Sequence, residues 1–295
     1  MVETYTIKGL GYLRDYRSLK DYYPDNPKVK KEIEKVPKLN TTLSKIELSA
    51  PKNIDRRTQF TPIRDQGSLG SCTAFSTSGL VEYFEKNAFG SYTLPSTRFI
   101  YKATRNLLGW KGDTGAFMKS AMGSIALFGS PPEKYWPYDV PKFDLEPTSF
   151  CYAFGQNYQA IKYVRLDPPD ISRDQLLVVM KEYITKGLPS MFGFTCFESL
   201  YQSNDNGGQI PFPIKTENVI GGHAIVVAGY DDNKKIKNVN SNTSTTGAFL
   251  ITNSWGSDWG ERGYGWLPYE YFLSHEADDV WTLIKGEWID NIQFE

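Results

Sequence analysis

One cysteine stands where a loop runs into a helix, which is a position suited to a nucleophile. The stretch 65–76 (DQGSLGSCTAFS) places two glycines shortly before Cys72 and an apolar helical pattern after it. Glycine permits the tight turn, and the unpaired N–H groups and dipole at a helix N-terminus favour the thiolate over the thiol. Gln66 lies on the same loop, where its side-chain amide can face an oxyanion beside the Cys72 N–H. Most cysteines are small buried hydrophobes, so this hypothesis needs a base nearby.

The chain contains two histidines, so the search for a base is short. His223 begins an apolar run at 223–228 (HAIVVA), directly after two glycines, and it follows Cys72 by 151 residues. His275 has a polar setting, and we expect it at the surface. A histidine in a strand is usually structural, unless a third group orients it toward a nucleophile.

Three separate motifs resemble those of papain-like cysteine peptidases, and they follow that family's order. The first is Gln66 together with the Gly-Ser-Cys run that ends at Cys72. The second is the Gly-Gly-His-Ala run around His223. The third is 251–260 (ITNSWGSDWG), which resembles the family's Asn-Ser-Trp-Gly block. The resemblance covers roughly residues 51–295.

Two residues depart from the family pattern. Leu69 stands where the family usually has a cysteine, which removes a structural disulfide partner, and Thr73 stands where it usually has an aromatic residue. Neither departure removes a catalytic atom. The separation of 30 residues between His223 and Asn253 is longer than the family's common spacing. We predict that a long polar hairpin loop at 231–247 takes up the excess.

The resemblance implies both the fold and the mechanism. The implied fold class is α+β, a two-lobe papain-like fold with a helical left lobe, a β-barrel-like right lobe and the active-site cleft between them. Cys72 would attack a peptide carbonyl, Gln66 and the Cys72 N–H would hold the oxyanion, and His223 would protonate the leaving amine. Asn253 would orient His223, and Trp255 would shield that hydrogen bond from water.

The resemblance also implies where a peptide substrate binds. The glycine loop at 112–115 is expected to pair with the substrate backbone in β fashion, with Gly115 making the contact. The neighbouring pocket is expected to be wide and apolar and to prefer bulky aliphatic or aromatic side chains, while Asp278 or Asp279 near its floor would admit a basic one. The implied substrate-binding residues are Thr114, Gly115, Phe117, Gly193, Gly222, Ala224 and Trp255.

Composition argues against several kinds of partner. The formal net charge of −1, from 33 Lys and Arg against 34 Asp and Glu, makes no electrostatic case for nucleic acid or an anionic membrane. No Cys/His cluster has metal-ligand spacing, so we expect no metal and no cofactor. With three cysteines and no recognised secretory signal, the chain is predicted to be intracellular or virion-associated. We expect polypeptide substrates and a monomer.

Periodicity predicts a helical lobe over about 60–158 and a β-rich lobe over about 159–295. Helices are predicted at 96–107, 116–128 and 172–186, the last with Ser172 as its N-cap. Strands are predicted at 160–164, 190–194, 224–228 and 249–252.

Residues 1–50 differ in character from the peptidase domain assigned to 51–295, being polar with scattered aromatics and a charged helical segment at 28–38. Because 51–57 (PKNIDRR) resembles the family's mature start, we predict a zymogen whose N-terminal segment is a short propeptide and intramolecular inhibitor. A constitutive extension packed on the back of the enzyme is the alternative. The predicted anchors of the segment are Tyr5, Tyr12, Leu13, Tyr16, Tyr22 and Tyr23.

An active endopeptidase is the leading hypothesis for function. An exopeptidase of the same family would block part of the cleft with an extra loop, in one branch carrying paired histidines that this chain lacks. A catalytically silent papain-like binding protein is the third hypothesis, and only Thr73 supports it. Labelling with a thiol-directed peptidyl electrophile separates them, because only an activated Cys72 reacts quickly at neutral pH.

Overall fold

Helices predominate in the first half of the chain and strands in the second. The computed structural model describes residues 7–18, 21–34, 51–158 and 162–285. The helices are α1 (Pro27–Glu34), α2 (Cys72–Phe89), α3 (Thr97–Leu107), α4 (Met118–Phe128), α5 (Ser149–Gly155), α6 (Arg173–Thr185) and α7 (Glu270–Leu273). The strands are β1 (Tyr12–Leu13), β2 (Asn53–Asp55), β3 (Ala116–Phe117), β4 (Lys162–Arg165), β5 (Met191–Phe197), β6 (Val219–Asn238), β7 (Thr243–Thr252), β8 (Tyr264–Pro268) and β9 (Ala277–Lys285).

Capping residues set the ends of the predicted helices. The Ser96 hydroxyl accepts a hydrogen bond from the Phe99 N–H (3.1 Å) at the start of α3. Ser172 and Gln175 form a capping box at the start of α6. α4 begins two residues later than predicted because Ala116–Phe117 form β3. It ends at Phe128 and is followed by Gly129 as C-cap, whose φ of 66° favours glycine.

The strands from β4 onward form one antiparallel sheet in the order β4-β9-β5-β6-β7-β8, and β2 pairs with β6 beside this path. The prediction of a polar loop at 231–247 is wrong. β6 runs on to Asn238 and β7 starts at Thr243, with Lys235 opposite Thr246 in the extended hairpin. The segment is polar because this part of the hairpin is largely exposed, so its side chains do not reveal the strand.

Helix α2 packs between the helical lobe and the sheet. One apolar cluster joins residues of α2 to residues of β5 and β6, among them Cys72, Ala74, Leu80, Val81, Met191, Ala224 and Val226. A helix that is buried on nearly all sides has no single apolar stripe. This packing brings the N-terminus of α2 against the first half of β6, so residues from opposite lobes meet there.

The N-terminal segment lies on the face where the two lobes meet. Its strand β1 pairs in parallel with β3, with Tyr12 opposite Ala116 and Leu13 opposite Phe117. The helix predicted at 28–38 begins at Pro27 and its described part ends at Glu34, so the rest lies outside the described residues. Within the described ranges, no helix is both long and apolar enough to cross a membrane.

Candidate active site

Cys72 is the first residue of α2, as the sequence predicts, and its side chain is fully buried. The Tyr138 hydroxyl donates to the Gln66 carbonyl oxygen (2.7 Å) and lies 2.7 Å from the Ser71 hydroxyl. Since the phenol has one proton, Ser71 is the donor to Tyr138. Tyr138 therefore fixes both ends of the loop that carries the cysteine, a role that sequence reasoning missed. The available signal was the aromatic segment 135–138 (YWPY).

His223 lies on β6 with a partner at the end of the neighbouring strand. Its Nε2 is 2.8 Å from the Oδ1 of Asn253. Because an amide oxygen only accepts, we assign the proton to Nε2, which leaves Nδ1 as a free acceptor. Nδ1 is buried without a hydrogen-bond partner. The Trp255 indole stacks on the imidazole with ring centroids 4.6 Å apart and an interplanar angle of 26°, and it covers the pair.

The Cys72 sulfur lies against the backbone of Ala224, the residue that follows His223. Backbone N–H groups of Ala224, Gly11, Thr73 and Cys72 itself point at the sulfur. Ala224 follows His223 in β6, so Cys72 and the strand that carries His223 meet between the lobes. Gly11 belongs to the N-terminal segment, which therefore touches the sulfur.

Burial decides the charge of both groups in this covered arrangement. It raises the pKa of the Cys72 thiol to about 11, and the four N–H groups oppose that rise without cancelling it. It lowers the pKa of His223 to about 4, against the effect of the Asn253 hydrogen bond. At neutral pH the covered pair is thus a thiol and a neutral imidazole. The predicted thiolate does not form here because desolvation outweighs the helix N-terminus.

Gln66 is fully buried and its side-chain amide is occupied. Nε2 donates to the carbonyl oxygen of Gly9 (2.8 Å) and to that of Leu69 (2.6 Å). Oε1 accepts from the Ser254 hydroxyl, so the motif that carries Asn253 also fixes the glutamine. The sequence gives no separate signal for Ser254 in this role. The Gly9 carbonyl oxygen therefore accepts a hydrogen bond from the Gln66 amide, the group that was predicted to donate to the oxyanion.

Residues 9–12 fit closely against the loops of the cleft. The Gly11 carbonyl oxygen accepts from the Ala116 N–H (2.9 Å), one residue beyond the predicted contact at Gly115. A Cβ on Gly115 would lie 2.2 Å from the Gly11 oxygen, and a Cβ on Gly11 would lie 1.9 Å from the Gly70 oxygen. Gly115 therefore permits the close approach, while Ala116 supplies the hydrogen bond.

Tyr12 fills the predicted side-chain pocket and is 7% exposed. Its ring lies against Gly193 and Gly222, where an added Cβ would come within 2.0 Å and 3.0 Å of ring carbons. The phenol donates to Asp278 Oδ1 at 3.4 Å, and Arg14 forms an ion pair with the same carboxylate. We call Gly193, Gly222 and Asp278 the tyrosine pocket. It ends in the carboxylate of Asp278, one of the two aspartates expected near the pocket floor, so a polar group closes the otherwise apolar pocket.

The remaining predicted substrate-binding residues take different positions. Phe117 is the register partner of Leu13 in the β1–β3 pair. The backbone oxygen of Trp255 accepts from the Lys8 ammonium (3.4 Å) at the other end of the segment. Thr114 is exposed, and its hydroxyl donates to the neighbouring carbonyl oxygen at 3.0 Å.

The predicted anchors of the N-terminal segment are mostly not buried. Tyr12 is, whereas Leu13, Tyr16 and Tyr22 are 36%, 89% and 49% exposed, so the prediction is wrong for these three. Tyr23 is half-buried, and Tyr5 lies outside the described residues. Aromaticity in a polar segment did not reveal which ring has a pocket, because the pocket is formed by distant glycines.

Of the other two thiols, Cys196 lies on β5 opposite Gly221 of β6, whereas Cys151 lies on α5. Cys151 and Cys196 are buried and form no disulfide. His275 is at the surface, as predicted, and its Nδ1 accepts from Arg173 Nε (2.9 Å). Within the described residues, no group of three His, Cys, Asp or Glu side chains could hold a metal ion.

The chain is similar in sequence to proteins of one family. Residues 50–272 match the model of the family described as papain family cysteine protease. An uncharacterized peptidase C1-like protein of Acanthamoeba polyphaga mimivirus is 33% identical over 224 residues, which cover 74% of this chain and 68% of that protein. Cathepsin K of Gallus gallus is 27% identical over 219 residues, which cover 73% of this chain and 58% of that protein.

The crystal structure of xylellain, a cysteine protease from Xylella fastidiosa, is also similar. It matches with a TM-score of 0.72 and 29% identity, covering 94% of this chain and 96% of the xylellain chain. The structural match therefore extends beyond the residues of the family model. The chain belongs to the papain family of cysteine proteases and has the two-lobe α+β fold of that family.

Proposed function

We propose that the protein is a cysteine endopeptidase made as a zymogen, with Cys72 as nucleophile, His223 as general base and acid, and Asn253 as the residue that orients the histidine. One observation carries the zymogen proposal. The backbone of residues 9–12 covers the sulfur, with the Gly9 oxygen on Gln66 and the Gly11 N–H on the Cys72 sulfur.

The proposed reaction begins when this segment leaves. Nδ1 of His223 takes the Cys72 proton, and the thiolate attacks the carbonyl carbon of a peptide bond. Gln66 Nε2 and the Cys72 N–H donate to the oxyanion. As the tetrahedral intermediate collapses, the C–N bond breaks and His223 gives its proton to the leaving amine. A water molecule deprotonated by His223 then attacks the thioester and releases the acid.

The segment suits the role of inhibitor for two reasons. The group that it presents to the sulfur is the Gly11 N–H, a hydrogen-bond donor and not an electrophilic carbon. Its cover also keeps the thiol and the imidazole neutral, because burial raises the pKa of Cys72 and lowers that of His223. The segment thus removes access and nucleophilicity together.

The course of the segment supports an endopeptidase over an exopeptidase. On one side of Cys72 it continues to Lys8, which pairs with Asp65. On the other side it continues through β1 to Arg14, which pairs with Asp278. A cleft that accepts a continuous chain past both sides of the nucleophile leaves room for substrate on both sides of a scissile bond.

The tyrosine pocket supports a substrate preference. A ring fits between Gly193 and Gly222, and Asp278 accepts a hydrogen bond or an ion pair at the far end. We infer that substrates place a tyrosine or a basic side chain in this pocket in preference to a branched aliphatic one.

The test compares the full-length chain with its Tyr12→Ala variant, using a fluorogenic peptide that carries tyrosine and a thiol-directed peptidyl epoxide. We expect slow hydrolysis and labelling in the first and much faster reaction in the second, with the adduct on Cys72 by mass spectrometry. Cys72→Ala should abolish both signals, and Cys151→Ala is the matched control that should not. Equal rates before and after the Tyr12 change would reject the zymogen, and turnover by Cys72→Ala would reject the mechanism.

A further inference from the structure

A second part of the N-terminal segment contacts the enzyme outside the cleft. The Asp21 side chain is fully buried and joins the two lobes. One carboxylate oxygen pairs with Lys119 on α4 in the helical lobe. The other lies 3.4 Å from Arg165 Nη1 on β4 in the sheet. A single carboxylate of the segment therefore bridges the lobes that supply Cys72 and His223.

Residues on either side of Asp21 make further contacts with the β-rich lobe. Arg17 Nε donates to the carbonyl oxygen of Asp167 (2.8 Å), and the guanidinium also pairs with the Asp167 side chain at 3.4 Å. Arg165 lies on β4, the edge strand of the sheet, and its backbone N–H donates to the Tyr22 carbonyl oxygen (2.9 Å). Val29 of α1 is 6% exposed and belongs to the apolar core of the β-rich lobe.

The enzyme holds the receiving groups in place by itself. Arg165 is 1% exposed and is fixed by Asp167 (Nε to Oδ1, 3.0 Å) and by Asp279 (Nη2 to Oδ1, 3.2 Å). The Asp167 carboxylate accepts in turn from the backbone N–H groups of Asp279 (3.3 Å) and Val280 (3.0 Å). A guanidinium oriented in this way presents Nη1 to an incoming carboxylate with little reorganisation.

We propose that Lys119, Arg165 and Asp167 form a second peptide-binding site, outside the catalytic cleft, whose ligand is the stretch of this chain with residues 17–18 and 21–29. The site recognises an arginine followed four residues later by an aspartate, and it holds that stretch when the cleft residues 7–14 are displaced. We call it the lobe-bridging site. The inference rests on the proposed zymogen, whose inhibitor it would keep close to the cleft.

The two contact regions of the segment are separable in the structure. The contacts of residues 9–14 include Gln66, Ala116 and the tyrosine pocket. Those of Arg17, Asp21 and Val29 are with Asp167, with Lys119 and Arg165, and with the core of the β-rich lobe. Between them, the Tyr16 side chain is 89% exposed. A displaced cleft segment that stays tethered at the lobe-bridging site would return as an intramolecular ligand, at high effective concentration.

Hydrogen exchange with mass spectrometry tests this on the full-length chain, in a Cys72→Ala background that prevents self-cleavage. Peptides from 7–14 report on the cleft contact, peptides from 21–34 report on the lobe-bridging site, and β5–β6 peptides are the reference for an intact fold. In Tyr12→Ala we expect faster exchange in 7–14 and unchanged protection in 21–34. In Asp21→Asn we expect exchange in 21–34 to accelerate about 30-fold or more, because a buried ion pair loses one partner.

Two further variants make the result specific. Lys119→Gln weakens the same contact from the enzyme side and should also accelerate exchange in 21–34. Asp25→Asn changes an exposed carboxylate of the same stretch and should leave it unchanged. Loss of protection in 21–34 in Tyr12→Ala would overturn the proposal, because the segment would then be one cooperative unit. Equal exchange rates of the 21–34 peptides in Asp21→Asn and Asp25→Asn would also overturn the proposal. Neither readout depends on turnover, so a failed catalytic assay would count against the proposed function alone.

Discussion

Gly193→Ala should expel Tyr12 from its pocket and uncover Cys72. A Cβ at position 193 would lie 2.0 to 2.3 Å from three ring carbons of Tyr12, closer than any van der Waals contact allows. The ring is wedged between this strand and Gly222, so it has to leave or tilt outward. Since φ at Gly193 is not positive, the substitution adds no backbone strain of its own.

The size of the effect follows from the buried ring. A tyrosine buries about 150–250 Å², and at about 25 cal/mol per Å² this is worth roughly 4–6 kcal/mol as an upper bound. If the displaced ring loses half of that contact, the covered state loses about 2–3 kcal/mol. The ratio of covered to uncovered chain then falls by about 30- to 150-fold.

The assay is the rate of Cys72 alkylation by iodoacetamide, which is small and does not need the pocket that the substitution narrows. Gly79→Ala is the matched control, because it is the same change within α2 and nothing lies within 4 Å of its added Cβ. In a Tyr12→Ala background, Gly193→Ala should add nothing, since the ring it displaces is gone. Alkylation of Gly193→Ala at the wild-type rate would refute the reasoning, and so would an effect that persists without the ring.

Three further outcomes can be measured. Gln66→Ala should lower kcat by about 10²–10³ in the uncovered enzyme, because it removes one oxyanion donor, and a loss below tenfold in steady-state assays would contradict that role. Tyr138→Phe should lower the unfolding free energy by about 1–3 kcal/mol, because the Gln66 carbonyl and a neighbouring hydroxyl lose their buried partner, whereas Tyr135→Phe, at a ring 40% exposed, should change it little in a denaturant titration. The covered chain should lose stability as pH falls from about 6.5 toward 4, because its His223 has a pKa of about 4 against 6.5 when exposed, so the unfolded state binds more protons in that window. Thermal unfolding should show this slope in the full-length chain and a weaker one in His223→Ala.

Much of the site could be predicted from local sequence because its parts are local. A loop with two glycines followed by a helical pattern places Cys72 at a helix N-terminus, whatever the rest of the chain does. Serine hydroxyls at Ser96 and Ser172 cap their helices through groups only three residues away. The resemblance of the motifs around His223 and Asn253 to the family pattern was sufficient to pair them, although the intervening hairpin was misread as a loop.

Only the tertiary structure decided what covers the cysteine. The contacts of Gly9, Gly11 and Tyr12 are with loops and strands far along the chain. They depend on glycines, which have no side chain, both in the segment and in the loops and strands that it contacts. No periodicity in residues 7–18 encodes such a fit. The charge state of Cys72 is decided in the same way. Helix position alone favours the thiolate, but a distant segment buries Cys72 and makes the neutral thiol the stable form, because desolvation depends on everything that surrounds a group and not on its neighbours in sequence.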